Sequence, residues 1–325
     1  MKSLLAAAGL IAAAFSAHAQ TAPSSGTWPD RPLRIIVPQP AGGGFDTVAR
    51  VLADRLQPLL GQSVIVENRT GAGTLVGTEA AAKAPADGYT LLLGALSNIA
   101  LNPGLYEKLP YDPLKDFTPV GLAVTWSYTL VARKDLPQKD LKELMAYARA
   151  NPEKVTYASA GKGSGQHIAM AVTEKLAGVK LTHVPYRGAQ AAYQDVLGGR
   201  VDLFFDISST ARAQVEGGTV RALAVSSKAR QPFHPDTPSV AETGVAPLDM
   251  ESWFGLFAPA ATPAPALARL RADLATVLAR TDVSDLFAKT GGRVLKLSAE
   301  ETDRLVRSDV ERWTKLIREA KISAY

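Results

Sequence analysis

Three short runs combine glycine with small or hydroxylated residues in a way that can grip an anion. They are Pro40-Ala41-Gly42-Gly43-Gly44-Phe45-Asp46, Asn68-Arg69-Thr70-Gly71-Ala72-Gly73-Thr74 and Ser159-Ala160-Gly161-Lys162-Gly163-Ser164-Gly165. Each follows a β-branched apolar stretch and precedes residues with helical apolar spacing. Glycine lets the chain take a left-handed φ, so that main-chain amides approach a ligand closely. Amides at a helix start have no acceptor within the helix and sit at the positive end of its dipole. One such loop is often no more than a tight turn. Three together point to a small anion held by main-chain donors.

Other residues suggest other chemistry. Ser159 to Lys162 matches Ser-x-x-Lys and Lys289-Thr290-Gly291 matches Lys-Thr-Gly, two parts of a serine acyl-enzyme. The context argues against it: the first motif sits in a Gly-rich loop, no Ser-Asp-Asn lies between them, and Gly291 reads as a helix C-cap. A hydrolase using Ser159 is the enzyme alternative. Gly71-Ala72-Gly73 with Gly77 follows a strand, but no acid follows to hold a ribose, so a dinucleotide cofactor is not expected. There are four histidines and no His-x-x-x-His spacing, so a metal site is unsupported and His167 is expected to pack behind a helix start. Asp206, at a strand end, either accepts from a ligand amine or hydroxyl or caps the helix at Ser208-Ser209. Arg187 is either an anion clamp or a solvated arginine. Phe45 and Trp126 either wall a pocket or fill the core. The absence of cysteine removes disulfides, thiolate nucleophiles and Cys-ligated zinc. No cofactor and no metal is expected.

The elements that must position these loops follow from the hydrophobic pattern. Lys2, the apolar run Leu4 to Phe15 and Ala17-His18-Ala19 read as a secretory leader expected to be cleaved before Gln20, which would place the mature chain outside the cytoplasm. The apolar run is far shorter than the ~20 residues that span a bilayer. Removing Lys2 leaves 35 bases against 31 acids, interspersed rather than clustered, so a nucleic-acid partner is not expected. Roughly 300 mature residues exceed what one core usually serves. Strands at Leu33–Val37, Val64–Val66 and Thr90–Leu93 alternate with helices at Asp46–Leu60 and Thr74–Ala84, a βαβαβ series that implies a parallel sheet. A long extended run from Phe117 to Arg133 follows, then a second αβ series. Another extended run, Ser252–Ala258, is followed only by helices. Two extended runs bracketing a self-contained series predict an α/β fold of two lobes joined by two crossing strands. The first lobe is then discontinuous, 28–123 plus 255–325, the second is 130–250, and the hinges are 124–129 and 251–254. Ligand crevices lie at the carboxyl ends of such strands, here between the lobes.

With these runs in place, the chain resembles the Bug family, the periplasmic receptors of tripartite tricarboxylate transporters. The resemblance rests on Val37-Pro38 through Asp46 with Ala49-Arg50, Gly71-Ala72-Gly73, Asn102-Pro103-Gly104-Leu105-Tyr106, and Leu109-Pro110-Tyr111-Asp112. It continues through Tyr157-Ala158-Ser159-Ala160-Gly161, Val184-Pro185-Tyr186-Arg187-Gly188, Pro238-Ser239-Val240-Ala241-Glu242 and Trp253-Phe254-Gly255-Leu256-Phe257-Ala258-Pro259. It implies a type II periplasmic binding protein (a Venus flytrap) without enzymatic activity, which binds a small carboxylate and hands it to the integral membrane permease subunits of a tripartite transporter. A receptor feeding a membrane sensor kinase is the alternative, and a monomer is expected. Carried over residue by residue, the first-lobe contacts are the amides of Gly43, Gly44, Phe45, Ala72 and Gly73, with Ser97 and Asn98. The second lobe offers Ser159, Gly161, Ser164 and the Asp206 carboxylate. Phe45 stands where the family commonly has Ser or Thr, which removes one hydroxyl. Thr70 stands where Pro is more frequent.

Overall fold

The computed structural model describes residues 28–323. The leader and its cleavage point lie outside them. The chain begins with β1 (Leu33–Val37), α1 (Gly44–Leu60), β2 (Val64–Asn68), a 3-10 turn (Ala72–Thr74), α2 (Leu75–Ala82) and β3 (Thr90–Ala95). β1 pairs in parallel with both β2 and β3. Their carboxyl ends, with the Gly-rich loops that follow, therefore share one edge of the sheet. After β3 the chain enters a π-helical segment, Leu96–Leu101, that runs into α3 (Asn102–Leu105). The sequence pattern shows no element there because every residue of the segment is buried, and a wholly buried helix has no amphipathic period.

β4 (Phe117–Arg133) is the first crossing. It leads into α4 (Leu141–Ala150), β5 (Thr156–Ser159), α5 (Gly165–Ala177), β6 (Thr182–Pro185), α6 (Ala189–Leu197), β7 (Leu203–Ile207), α7 (Ser208–Glu216) and β8 (Val220–Val225). β9 (Glu251–Pro259) carries the chain back to α8 (Ala264–Ala279), α9 (Thr281–Ala288), β10 (Arg293–Val294) and α10 (Ala299–Glu319). The strand order is β2-β1-β3-β9-β4-β7-β5-β6, with β8 and β10 also on β4. β4 serves both halves: Phe117 to Ser127 pairs with β9, and Tyr128 to Arg133 with β7 and β8. Two α/β lobes joined by two crossing strands result, as the sequence pattern implies.

The extended run after residue 251 is not followed by helices alone. Arg293 and Val294 form β10, antiparallel to β4 at Thr125 and Val124, and two residues are too few to show an alternating pattern. Asp206 also lies within β7 rather than after it.

The crossing point is knit by hydroxyls. Ser226 Oγ accepts from the Tyr128 amide (2.8 Å) and donates to the Met250 carbonyl (2.5 Å), linking the outgoing and returning strands. Ser127 and Thr129 both hydrogen-bond Ser208 Oγ at 2.8 and 2.9 Å. Behind the cleft, one apolar cluster runs from Ile36 and Leu92 through Trp313 and Ile317 of α10 to Leu203 and Phe205. α10 is fixed at its start by a capping box between Ser298 and Glu301, which satisfies two otherwise unpaired amides.

Candidate functional site

Loops from both lobes meet around a cavity of about 140 Å³. That is close to the volume of a space that takes a six-carbon ring, about 150 Å³. Tyr128 of β4, Ser252 and Phe254 of β9 and Ile207 of β7 form its crossing-strand wall.

The first lobe contributes Gln39, Gly44, Phe45, Gly73, Thr74 and Ser97. Gly44 and Phe45 open α1, so their amides have no intrahelical acceptor. The loop before them is locked by Asp46. Its carboxylate accepts from the Gly42 amide (3.0 Å), Arg50 Nε (2.8 Å) and Asn68 Nδ2 (3.0 Å), and Asn68 also donates to the Gln39 carbonyl (3.0 Å). Burial pushes the Asp46 pKa up, but Arg50, Gly42 and Asn68 outweigh it and hold the carboxyl below its ordinary value. In the second loop Gly71, Ala72, Gly73 and Thr74 have φ of 143°, 44°, 66° and 100°. Two non-glycine residues in that region store strain. The segment is pinned where it passes into α2, since Thr78 Oγ1 donates to the Thr74 carbonyl (2.9 Å) and Asn102 Nδ2 to Thr74 Oγ1 (3.2 Å). Phe45 is buried and meets Phe254 edge to face, with centroids 5.1 Å apart. These two rings give the cavity an apolar side.

The second lobe contributes the run from Ala160 to Gln166. Ser164 caps α5, accepting from the His167 amide at 3.3 Å, and the amides of Gly165 and Gln166 open the helix. Gly165 is required by packing, because a Cβ there would lie 1.9 Å from the Tyr128 hydroxyl. Gly73 of one lobe and Lys162 of the other nearly touch: a Cβ on Gly73 would sit 3.8 Å from the Lys162 carbonyl. The second-lobe loop is held from behind by two imidazoles. The Gly163 amide donates to His167 Nδ1 (3.2 Å), and His183 Nε2 bonds Ser159 Oγ (2.7 Å), which in turn accepts from the Gly161 amide (3.2 Å). The two rings stack 4.2 Å apart. Burial, reinforced by the Lys162 charge, lowers the His167 pKa to about 4. Burial, with His167 and Lys162 beside it, lowers that of His183 to about 3. Both are neutral at pH 7, as His167 must be to accept from the Gly163 amide through Nδ1.

Of the residues singled out from sequence, Gly44, Phe45, Gly73, Ser97, Gly161 and Ser164 line this cavity, whereas Gly43, Ala72, Asn98, Ser159 and Asp206 do not. Gly43 is the residue before α1, and Ala72 opens the 3-10 turn. The Asn98 carboxamide is consumed by the Ala95 amide (2.7 Å) and Thr78 Oγ1 (3.0 Å). Ser159 and Asp206 are fully buried. Ser159 and His183 at 2.7 Å have the spacing of a nucleophile and its base, but no solvent-accessible surface reaches the hydroxyl. His167 packs behind the loop. Arg187 is exposed and outside the cavity, and Trp126 packs against Phe254 and Phe287.

Sequence reasoning missed Gln39, Thr74, Tyr128, Gln166, Ser252 and Phe254. Nothing local marks them; they reach the site through the crossing strands or by flanking a glycine loop. Lys162 was visible within the third Gly-rich run and in the rejected catalytic motif, but its charge was not singled out as a contact. A larger groove of about 690 Å³ lies on the opposite side of the crossing strands, by Thr125, Ser127 and Glu251. Its walls mix Asp249 and Glu251 with Lys228, Arg230, Arg293 and Lys296, so its field is divided. In the smaller cavity, among the described residues, Lys162 is the one charged lining residue and no acid lines it. Among the described residues no three His, Asp or Glu side chains are grouped to hold a metal, and no helix is long and apolar enough to cross a membrane.

The family model described as tripartite tricarboxylate transporter family receptor matches residues 48–322. The protein BugT of Bordetella pertussis is 34% identical over 320 residues, covering 98% of each chain. The structure of R. palustris Rpa4515 with adipate is similar with a TM-score of 0.84 and 33% identity, covering 91% of this chain and 99% of that one. MatC from Rhodopseudomonas palustris with bound malate has a TM-score of 0.83 and 33% identity, covering 89% and 100%.

Proposed function

The chain belongs to the tripartite tricarboxylate transporter receptor family, and on that premise we propose that it is a periplasmic receptor that captures a small organic carboxylate between its lobes. The observation that carries this reading is the convergence of helix starts from both lobes on one acid-free cavity. Gly44 and Phe45 of α1, Gly73 and Thr74 before α2, Ser97 of the π-helical segment and Gly165 and Gln166 of α5 all face the same space. Relatives of this fold hold adipate and malate, acids whose carbon chains suit the Phe45 and Phe254 wall.

The mechanism is differential binding. An anion that accepts from amides of both lobes is held fully only when they are together, so it shifts the equilibrium toward the closed form. Hydrogen bonds to a charged group contribute about 1.5–3 kcal/mol each. Five or six of them, less the cost of association, suffice for the roughly 8 kcal/mol of a micromolar complex. The leader at residues 1–19 would be cleaved on export, residues 28–123 with 255–325 and residues 130–250 would move as the two lobes, and the mature monomer would deliver its ligand to permease subunits.

Calorimetry and thermal shift with succinate, malate and adipate test the reading. At 100 times Kd a ligand adds about 2.7 kcal/mol of stability. Absence of binding by every acid, or binding without compaction in small-angle scattering, would remove the closing-cleft mechanism.

A further inference from the structure

One first-lobe side chain of the cavity wall is held in a way that helix starts do not explain. Thr74 is buried, lines the cavity and has a φ of 100°, a conformation that strains a β-branched residue. Glycine would take that φ freely. What threonine adds is a branched side chain with a hydroxyl.

A closed ring of hydrogen bonds runs through this residue. Tyr111 Oη donates to the Asn98 carbonyl (2.5 Å), and burial raises the pKa of the phenol, so it keeps that proton. With its proton used, Tyr111 Oη can only accept from Asn102 Nδ2 (2.8 Å). The Asn102 amide is thereby oriented, and its second hydrogen goes to Thr74 Oγ1 (3.2 Å). The ring returns through Asn98. Its Oδ1 takes the Ala95 amide (2.7 Å), so Nδ2 faces Thr78 Oγ1 (3.0 Å), which donates to the Thr74 carbonyl (2.9 Å). All five side chains are buried, and each bond has a forced direction. The consequence falls on Thr74. Its hydroxyl oxygen accepts from Asn102, so its own proton is left over, and among the described residues none accepts it.

We propose, resting on the reading of this cavity as the carboxylate site, that Thr74 is a ligand-binding residue whose hydroxyl donates to the enclosed carboxylate, and that Tyr111 is a positioning residue that aims this proton through Asn102. A donor aimed before the ligand arrives loses little freedom on binding. Buried hydrogen bonds in series also polarise one another, which strengthens the last donor of the series.

Calorimetry of the mature protein with succinate and adipate tests both parts. Thr74→Val removes the hydroxyl and keeps the branch, and affinity falls at least about tenfold, the loss of one hydrogen bond to a charged group. Thr74→Ser, which keeps a hydroxyl, recovers most of that loss. Thr74→Ala carries the same expectation as Thr74→Val should the valine variant not fold. Tyr111→Phe weakens binding about three- to tenfold without touching the ligand, and adds nothing in a Thr74→Val background, because the two act through one hydrogen bond. Asp140→Ala removes the cap of α4 in the second lobe; it lowers the melting temperature and leaves affinity unchanged. Affinity of Thr74→Val or Thr74→Ala within about threefold of wild type overturns the role of Thr74. Losses that multiply in the double variant, or a loss in Asp140→Ala equal to that in Tyr111→Phe, overturn the role of Tyr111. Failure of the wild-type protein to bind succinate, malate or adipate overturns the carboxylate reading itself, an outcome distinct from the others.

Discussion

The two sides of the cleft are built from different materials. In the first lobe the cleft loops are locked by ions: Asp46 ties Gly42, Arg50 and Asn68 together, and the following loop holds four successive residues at positive φ. In the second lobe the loop leans on neutral imidazoles, and charge enters only through exposed Lys162 and sealed Asp206. The first arrangement is fixed by charge and carries the Phe45 ring on the apolar side of the cavity. The second adds the Lys162 ammonium and the Gln166 amide to the cavity wall. On the proposed reading both lobes grip the ligand, and each set of loops can be perturbed alone.

The largest effect is expected where grip is concentrated. Gly44→Val weakens succinate or adipate binding by at least about a hundredfold, the loss of one or two hydrogen bonds to a charged group. The unliganded melting temperature moves little, because a Cβ at Gly44 meets only Phe254, at 3.7 Å. Gly73→Val is a poorer probe, since φ is 66° there and a β-branched residue adds strain of its own. Retained affinity in Gly44→Val, measured by calorimetry, would remove the α1 start from the site.

Next comes the lock. Asp46→Asn keeps the shape but removes the charge, and ligand affinity falls about tenfold with some loss of stability. The Asp46 pKa is held below its ordinary value, so its stabilising share is present above that value and is lost as pH falls through the lowered one. A flatter acid limb in thermal melts of Asp46→Asn checks the sign. In the second lobe, Lys162→Met weakens divalent acids about three- to tenfold and reduces the salt dependence of binding. An unchanged salt slope would show that the ammonium takes no part.

The smallest effect belongs to the imidazoles. Their folded pKa values near 4 and 3 lie below the ordinary value of about 6.5. Their contribution is intact above about 6.5 and is lost as pH falls toward those lowered values. Asp206 runs the other way. Burial raises its pKa to about 6, so its share is present below its ordinary value and is lost as pH rises through about 6. His183→Gln should soften the decline in melting temperature on the acid side, and Asp206→Asn should remove the decline between about pH 4 and 6. Identical pH profiles for wild type and both variants would contradict the assignment.

Much of the frame was readable from residue pattern because lobes and crossings advertise themselves. β4 matches the apolar run Phe117–Arg133 end to end, and α4 matches Leu141–Ala150. The π-helical segment escaped because full burial erases periodicity, and β10 because two residues carry no pattern. In the site, glycines were legible since left-handed backbone has a composition signature. Tyr128, Ser252 and Phe254 were not, because their role depends on where two distant strands cross. Ser159 and Asn98 were expected as ligand contacts through the resemblance alone, which says nothing of which way a side chain turns. Their partners, His183 and Thr78, come from other elements and turn both side chains inward.

A crystal structure of the mature protein with succinate or adipate tests the central claim most directly. The account predicts a carboxylate within hydrogen-bonding distance of the amides of Gly44, Phe45 and Gly73, with the second-lobe run from Gly161 to Gln166 closing over the far end. A ligand bound instead in the groove beside Lys228 and Arg293, or held by side chains of one lobe alone, would contradict it.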